Sequence, residues 1–344
     1  MANVKITQLP AASSVTLDDI VPMVDIGTTT TQKATLAQVL ALGPGQKVLW
    51  LVEGGKYATL QAAFNAATEG DTIVIGPKAT GTWGDVTLAE NKTMSFVGLN
   101  GVNGKQVKIG AITFSPSTGG LDINRNEFFF TNLLVTGSFA SQAVLFSGTG
   151  AGRMRFAGCF IQNTSATGDG IVNSNTFNTG TTSSLWLDDT TVLVTTTSGA
   201  AIRQSGRYTL VKNRCDISGG ANAVVLTAGT FECVGGVIEM NGTGSVISVS
   251  ATLPTVASCL IGYSSIKNST TNGSGVSLTG NGAALSAGIA SFIVATGTGY
   301  CVRGTGTFLY AQNIFSNSAA AAYNVKVQNT LTALPVTTTF TSSP

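Results

Sequence analysis

Eight short apolar runs recur at near-regular intervals between residues 135 and 315, and this recurrence limits the fold more than any single motif. They are anchored on Val135, Ile161, Val192, Ile217, Ile238, Ile266, Val294 and Phe315, in FTNLLVTG, AGCFIQNT, DDTTVLVT, NRCDISGG, GGVIEMNG, YSSIKNST, ASFIVATG and AQNIFSNS. Successive gaps are 26, 31, 25, 21, 28, 28 and 21 residues, with a mean of about 26, inside the range of solenoid repeats. Between anchors, Gly, Asn, Ser and Thr cut the chain into runs too short for helices. Propeller blades need roughly 40–50 residues each, and leucine-rich repeats carry a helix or 3-10 turn per unit. Each repeat therefore predicts a coil of about three short strands, stacked on the next at ~4.8 Å, which is a parallel β-helix. Eight anchored coils and about two more before residue 130 make a rod of about 50 Å.

Alternation along each strand turns the position two before an anchor inward. Cys159 and Cys215 occupy it. Asn163, Asn268 and Asn317 lie two after an anchor, either as a stacked ladder or as independent loop residues.

Composition removes several kinds of chemistry. The 344 residues contain no histidine, which excludes a Ser-His-Asp triad, a Cys-His pair and a His-ligated metal. Only 10% are charged, against roughly 25% in an average globular chain. The 43% hydrophobic content argues against disorder. A net charge of +2 offers no basic footprint for nucleic acid. No apolar run reaches 18 residues, so no membrane insertion is expected. The opening MANVKITQLPAASSV lacks the apolar core of a secretory signal. Five cysteines without a CxxC pair suggest buried free thiols and folding in a reducing cytosol, with neither zinc nor disulfides. GTGAG at 148–152 lacks the Lys-Ser/Thr that would make it a phosphate loop. No cofactor and no metal are expected.

Four segments follow: an arm at 1–42, a joint with a capping helix and first strands at 43–92, the β-helix proper at 93–327, and an extended tail at 328–344. The helix lies in YATLQAAFNAATEGD, where Leu60, Ala63, Phe64 and Ala67 fall on one face. Thr59 is placed to cap its start and Gly70 to stop it.

Two resemblances add to this reading. KYATLQAAFNAATEGDTIVI and the later TLAENKTMSFVGLNG resemble the opening of pectin-lyase-like β-helices through Gly70, Asp71, Thr72 and Ile73 and through Phe96, Val97 and Gly98. That implies an all-β, right-handed parallel β-helix, a fold shared by lyases, hydrolases and adhesins. The first 40 or so residues are similar to N-terminal modules of bacteriophage tailspikes and tail fibres. Ile6, Leu9, Pro10, Ala11, Ala12, Asp19, Ile20, Pro22, Gly27, Lys33, Ala34, Thr35 and Gln38 carry this likeness. It implies a structural virion protein, made in the host cytoplasm, docked on phage tail or capsid proteins and assembled as a homotrimer that attaches to a host-surface glycan. The docking residues would be Ile6, Leu9, Pro10, Ile20, Pro22 and Lys33. A capsid cement or head-decoration protein of the same plan and a polysaccharide depolymerase are the alternatives.

Depolymerisation needs two carboxyl groups about 5–9.5 Å apart. Among Asp169, Asp188, Asp189, Asp216, Glu232 and Glu239, the trio Asp189, Asp216 and Glu239 is expected to face outward on neighbouring coils. Exposed carboxylates also serve solubility, and no acid follows Glu239, so no catalytic residue is favoured. Trp186, Tyr208 and Tyr263 are the glycan-binding candidates, because sugar faces stack on flat rings.

Overall fold

The computed structural model describes residues 20–25, 30–35, 47–99, 107–117, 126–177, 183–195, 198–240, 244–269, 273–287, 291–295, 302–304, 307–310, 314–317 and 332–335. The chain divides into two compact units, Met1–Lys47 and Val48–Pro344. In the first, Ile20–Asp25 and Thr30–Thr35 pair antiparallel, with Ile20 opposite Thr35 and Pro22 opposite Lys33. Of the expected docking residues, Ile6, Leu9 and Pro10 lie outside the described residues.

The second unit is a parallel β-solenoid with three walls, one of twelve strands and two of nine. The chain visits each wall in turn. Arg153–Ala157, Phe160–Asn163 and Asp169–Asn173 make one coil, and Ser184–Asp188, Thr191–Val194 and Ala200–Gln204 stack on it in parallel. Eight complete coils of this kind occur among the described residues. Eleven steps of ~4.8 Å make the longest wall about 53 Å tall. The strands Val48–Leu51 and Thr72–Ile75, from the expected joint, pair as the first two of that wall, and Thr332–Pro335, from the expected tail, is its last.

The anchors share a single register column of one nine-stranded wall. Ile109, Val135, Ile161, Val192, Ile217, Ile238, Ile266, Ile293 and Phe315 follow in strict register. One expected anchor is corrected. Ile293, wholly buried, holds the column, and Val294 is the outward, half-buried neighbour. The strand Phe292–Ala295 is apolar throughout, so alternation alone leaves its parity open. The other nine-stranded wall supplies a second column, including Ile112, Val144, Ile171, Ile202, Val224, Ile247 and Val276. Burying each such side chain contributes about 1.5–3 kcal/mol.

Rings reinforce the first coils. Phe96, Phe130 and Phe156 stack in register, with centroids 4.8 Å apart at both steps. Helix α1 (Leu60–Ala66) lies between the first two strands of the long wall. Thr59 Oγ1 accepts the Ala62 N–H at 3.1 Å, and Lys92 Nζ donates to the C-terminal carbonyls of Phe64 and Ala67 at 3.1 and 2.9 Å. Burial of that ammonium lowers its pKa, with Asp71 opposing the shift. The helix buries Leu60, Ala63 and Phe64, and the Phe64 ring lies 6.2 Å from both Phe96 and Phe128. It thus covers apolar interior where the two shorter walls have not yet begun.

Polar side chains fasten the turns. Cys159 and Cys215 are buried, as their slot predicts. The Cys159 N–H donates to Thr190 Oγ1 and the Thr190 N–H to Cys215 Sγ, each at 3.4 Å. The asparagines do not form a ladder: Asn163 stands opposite Gly137 and Val194, and Asn268 opposite Met240. Each clasps its own turn to that of the preceding coil. Asn163 Nδ2 donates to the Phe139 and Asp169 carbonyls, and Asn268 Nδ2 to those of Gly244 and Ser274. The Asn317 side chain lies outside the described residues.

A different turn does stack. After strands of the long wall, Asn132, Gly158, Asp189, Asn213, Gly235 and Tyr263 all have positive φ. The N–H of Asn132 bonds the Ala157 carbonyl, Gly158 that of Asp188, Asp189 that of Asn213, and Gly235 that of Gly262, at 3.0–3.1 Å. Gly, Asn and Asp suit this left-handed backbone, whereas Tyr263 is a bulky residue in it.

Candidate functional site

Alternation on the long wall sends every second side chain outward. In the middle coils, Glu127, Arg153, Ser184, Tyr208 and Thr230 form one outward row. Phe129, Arg155, Trp186, Leu210 and Glu232 form the next. Asp188 and Lys212 stand opposite each other in a third.

These rows make one connected polar and aromatic surface. Glu127 Oε1 lies 3.1 Å from Arg153 Nη1 and 2.7 Å from Arg155 Nε, so one carboxylate serves two guanidiniums. The Arg155 guanidinium sits 4.0 Å from the Trp186 ring centre and 5.2 Å from that of Phe129. Arg153 and the Lys212 ammonium approach the same indole at 5.1 and 5.3 Å. Burial lowers the Arg155 pKa against the raising effect of Glu127, and Arg153 adds to the lowering. Trp186 Nε1 is shielded from solvent and finds no acceptor among the described residues. On the coil next to Trp186, the Tyr208 hydroxyl donates to Glu232 Oε2 at 2.5 Å. Burial first, and then Glu232, push the phenol pKa up. Leu210 is buried in the same row, between Trp186 and Glu232.

The three expected glycan-binding aromatics therefore differ. Trp186 and Tyr208 share this surface, but the first is roofed by cations and the second is tied to a carboxylate. Tyr263 stands at a turn with an open ring, 63% exposed.

The expected acidic trio separates. Asp189 belongs to the left-handed turn column, which accounts for its residue type, and its carboxylate lies 3.5 Å from Arg214, with both side chains largely exposed. Asp216 and Glu239 do come together on neighbouring coils of a nine-stranded wall. Asp216 stands opposite Val237, and Glu239 opposite Ser218 and Lys267. Loss of hydration and then the Glu239 charge raise the Asp216 pKa. Asp169 is structural: it is buried and held by Arg203.

Sequence reading missed the Glu127–Arg153–Arg155 cluster. Its signal was present: an Arg-x-Arg places both cations on one face of a strand, and Glu127 precedes Arg153 by one coil of 26 residues. No group of three Cys, Asp or Glu side chains positioned to hold a metal occurs among the described residues, and no helix among them is long and apolar enough to cross a membrane.

No protein-family model and no curated protein match the chain. Two solved structures are similar to it. One is the pectin methylesterase from Aspergillus niger, at 13% identity over 85% of this chain and 91% of that one, with a TM-score of 0.49. The other is pectate lyase Pel9A, at 14% identity over 82% and 80%, with a TM-score of 0.40. At these values neither activity transfers to this chain, and the fold assignment rests on the strand registers above.

Proposed function

We propose that this chain is a rigid attachment rod that binds a surface polysaccharide on the outer face of its long wall. The observation that carries this reading is the connected surface of Phe129, Arg153, Arg155, Trp186, Tyr208 and Glu232 on adjacent coils. An extended polymer matches a binding face with a repeat of ~4.8 Å, and aromatic rings interleaved with forked donors suit hydroxyl-rich ligands. The resemblance of residues 1–42 to phage tail modules supports placing the rod on a virion, as a homotrimeric tailspike or tail fibre, with a capsid-decoration role as the alternative position.

The test is sedimentation or glycan-array binding of the full chain to purified bacterial surface polysaccharides. Binding that weakens in Tyr208→Ala and Arg153→Ala, with the fold unchanged by circular dichroism, is the expected result. Absence of binding to every polysaccharide removes the reading. The virion placement has its own test: a chain lacking residues 1–42 should keep polysaccharide binding and fail to enter particles.

A second reading, depolymerisation, is favoured by the Asp216–Glu239 pair alone, since one carboxyl of raised pKa beside another can share acid and base roles. Release of reducing ends that vanishes in both Asp216→Asn and Glu239→Gln would establish it.

A further inference from the structure

We infer that the surface around Trp186 is a subsite for a carboxylate-bearing sugar, so that the polymer bound is an acidic polysaccharide. This rests on the reading of the long wall as a polysaccharide-binding face. Three cations, Arg153, Arg155 and Lys212, converge on one indole at 5.1, 4.0 and 5.3 Å. Only Glu127 bridges the two guanidiniums. Asp188, the acid opposite Lys212, already accepts the Asn213 amide at 2.9 Å. Three cations therefore face two carboxylates, Glu127 and Asp188, around the indole, and one further carboxylate balances the set.

Geometry favours a planar anion. A guanidinium presents paired donors matched to two carboxylate oxygens. Arg155 lies between Phe129 and Trp186 with its Nε 2.7 Å from Glu127, so its position is set in advance. The Trp186 Nε1–H lacks an acceptor among the described residues, and a shielded donor without a partner is costly. A ligand oxygen that displaces part of the cationic roof would relieve that cost. The Trp186 ring is therefore not a bare stacking platform: its role is to hold cations in place, with Tyr263 left as the open ring for a neutral sugar face.

The experiment measures binding of the full chain to uronate-rich bacterial capsular polysaccharides, each paired with its own carboxyl-reduced form, with polyphosphate as a polyanion lacking sugar. Carboxyl reduction should weaken binding roughly ten- to hundredfold. Arg155→Gln and the half-buried Lys212→Gln should each shrink this difference, weakening binding of the native polymer by a larger factor than binding of the reduced one, and polyphosphate should bind at least tenfold more weakly. Equal affinity for native and reduced polymers overturns the acidic subsite and leaves the polysaccharide reading standing. Polyphosphate binding equal to the best polysaccharide also overturns the subsite, since the surface then acts as an ion exchanger. No binding in either form removes both the subsite and the reading beneath it. If Arg155→Gln fails to fold, Lys212→Gln alone decides.

Discussion

Arg203 holds Asp169 from the adjacent coil with two nearly parallel hydrogen bonds, Nε to Oδ2 at 2.7 Å and Nη2 to Oδ1 at 3.0 Å. The same carboxylate accepts the Ala200 N–H at 2.7 Å, so a buried acid stitches two coils through both side chain and backbone. The hydrogen bonds that Arg203 donates to Asp169 are the main reason its pKa is raised. Asp169→Ala removes the carboxylate that accepts the Ala200 N–H and leaves the guanidinium without its partner. Breaking a fully buried pair costs about 3–5 kcal/mol. The Arg203 side chain is 42% exposed, so solvent screening reduces the expected loss to about 2–3 kcal/mol. Denaturant midpoints at constant m-value measure it.

Asn163 gives a second, independent prediction. Its amide donates to two backbone carbonyls, and its Oδ1 accepts the N–H groups of Phe139 and Ser165, both at 3.0 Å. Asn163→Ala would strand several buried groups at once, at a cost of about 2–4 kcal/mol. Thr164→Ala, at the exposed neighbour, should stay within about 0.5 kcal/mol. Equal effects at both sites would mean that the clasp adds nothing.

The ring stack separates an interior position from an end. Phe130 is stacked on both faces, by Phe96 and Phe156, whereas Phe156 meets Leu187 on its far side. Phe130→Ala should cost about 3–5 kcal/mol, and Phe156→Ala measurably less. Because coils interact mainly with their neighbours, hydrogen exchange should show the loosening concentrated on the coils around residue 130.

Much of this architecture was legible because a solenoid repeats its constraints. Seven of the eight expected anchors fall in one column: Ile217 and Ile266, each between two polar residues, can point only one way, and the near-regular spacing places the others. Val294 failed because Phe292–Ala295 has no polar residue to set its parity. The helix was legible through its 3.6-residue spacing and Thr59. The acidic trio was not, because sequence gives a residue's distance from its anchor but not whether the chain is turning there: Asp189 lies in a left-handed turn and Asp216 in a strand. The cations around Trp186 were missed for another reason. The regular anchors all lie on one nine-stranded wall, and the cluster lies on the long wall.

Alkaline pH should weaken the fold. Burial pushes the thiols of Cys159 and Cys215 up to about 11, above ~8.5 for an unfolded cysteine. A raised folded pKa contributes stability that is complete below the unfolded value and is lost as pH rises through the folded one. Stability should hold to about pH 8 and then fall progressively toward pH 11, by an amount on the order of a few kcal/mol. The raised Tyr208 phenol adds a further loss above pH ~10. Urea melts of Cys159→Ala and Cys215→Ala should show a flatter decline from pH 8 to 10.5, and an unchanged slope would contradict the assignment.

Asp216 has the opposite consequence near neutrality. Its carboxyl pKa is raised by lost hydration and by Glu239, so its charged form opposes folding above that pKa and the penalty disappears once it is protonated. Asp216→Asn should therefore raise the melting temperature at pH 7, and the gain should vanish below the unfolded value of ~3.9. Glu239→Gln should capture part of the same gain by removing the repelling charge. The double variant should fall short of the sum of the two, since both relieve one interaction. Full additivity would show that the two carboxylates do not act on each other, and it would also remove the one observation that favours depolymerisation.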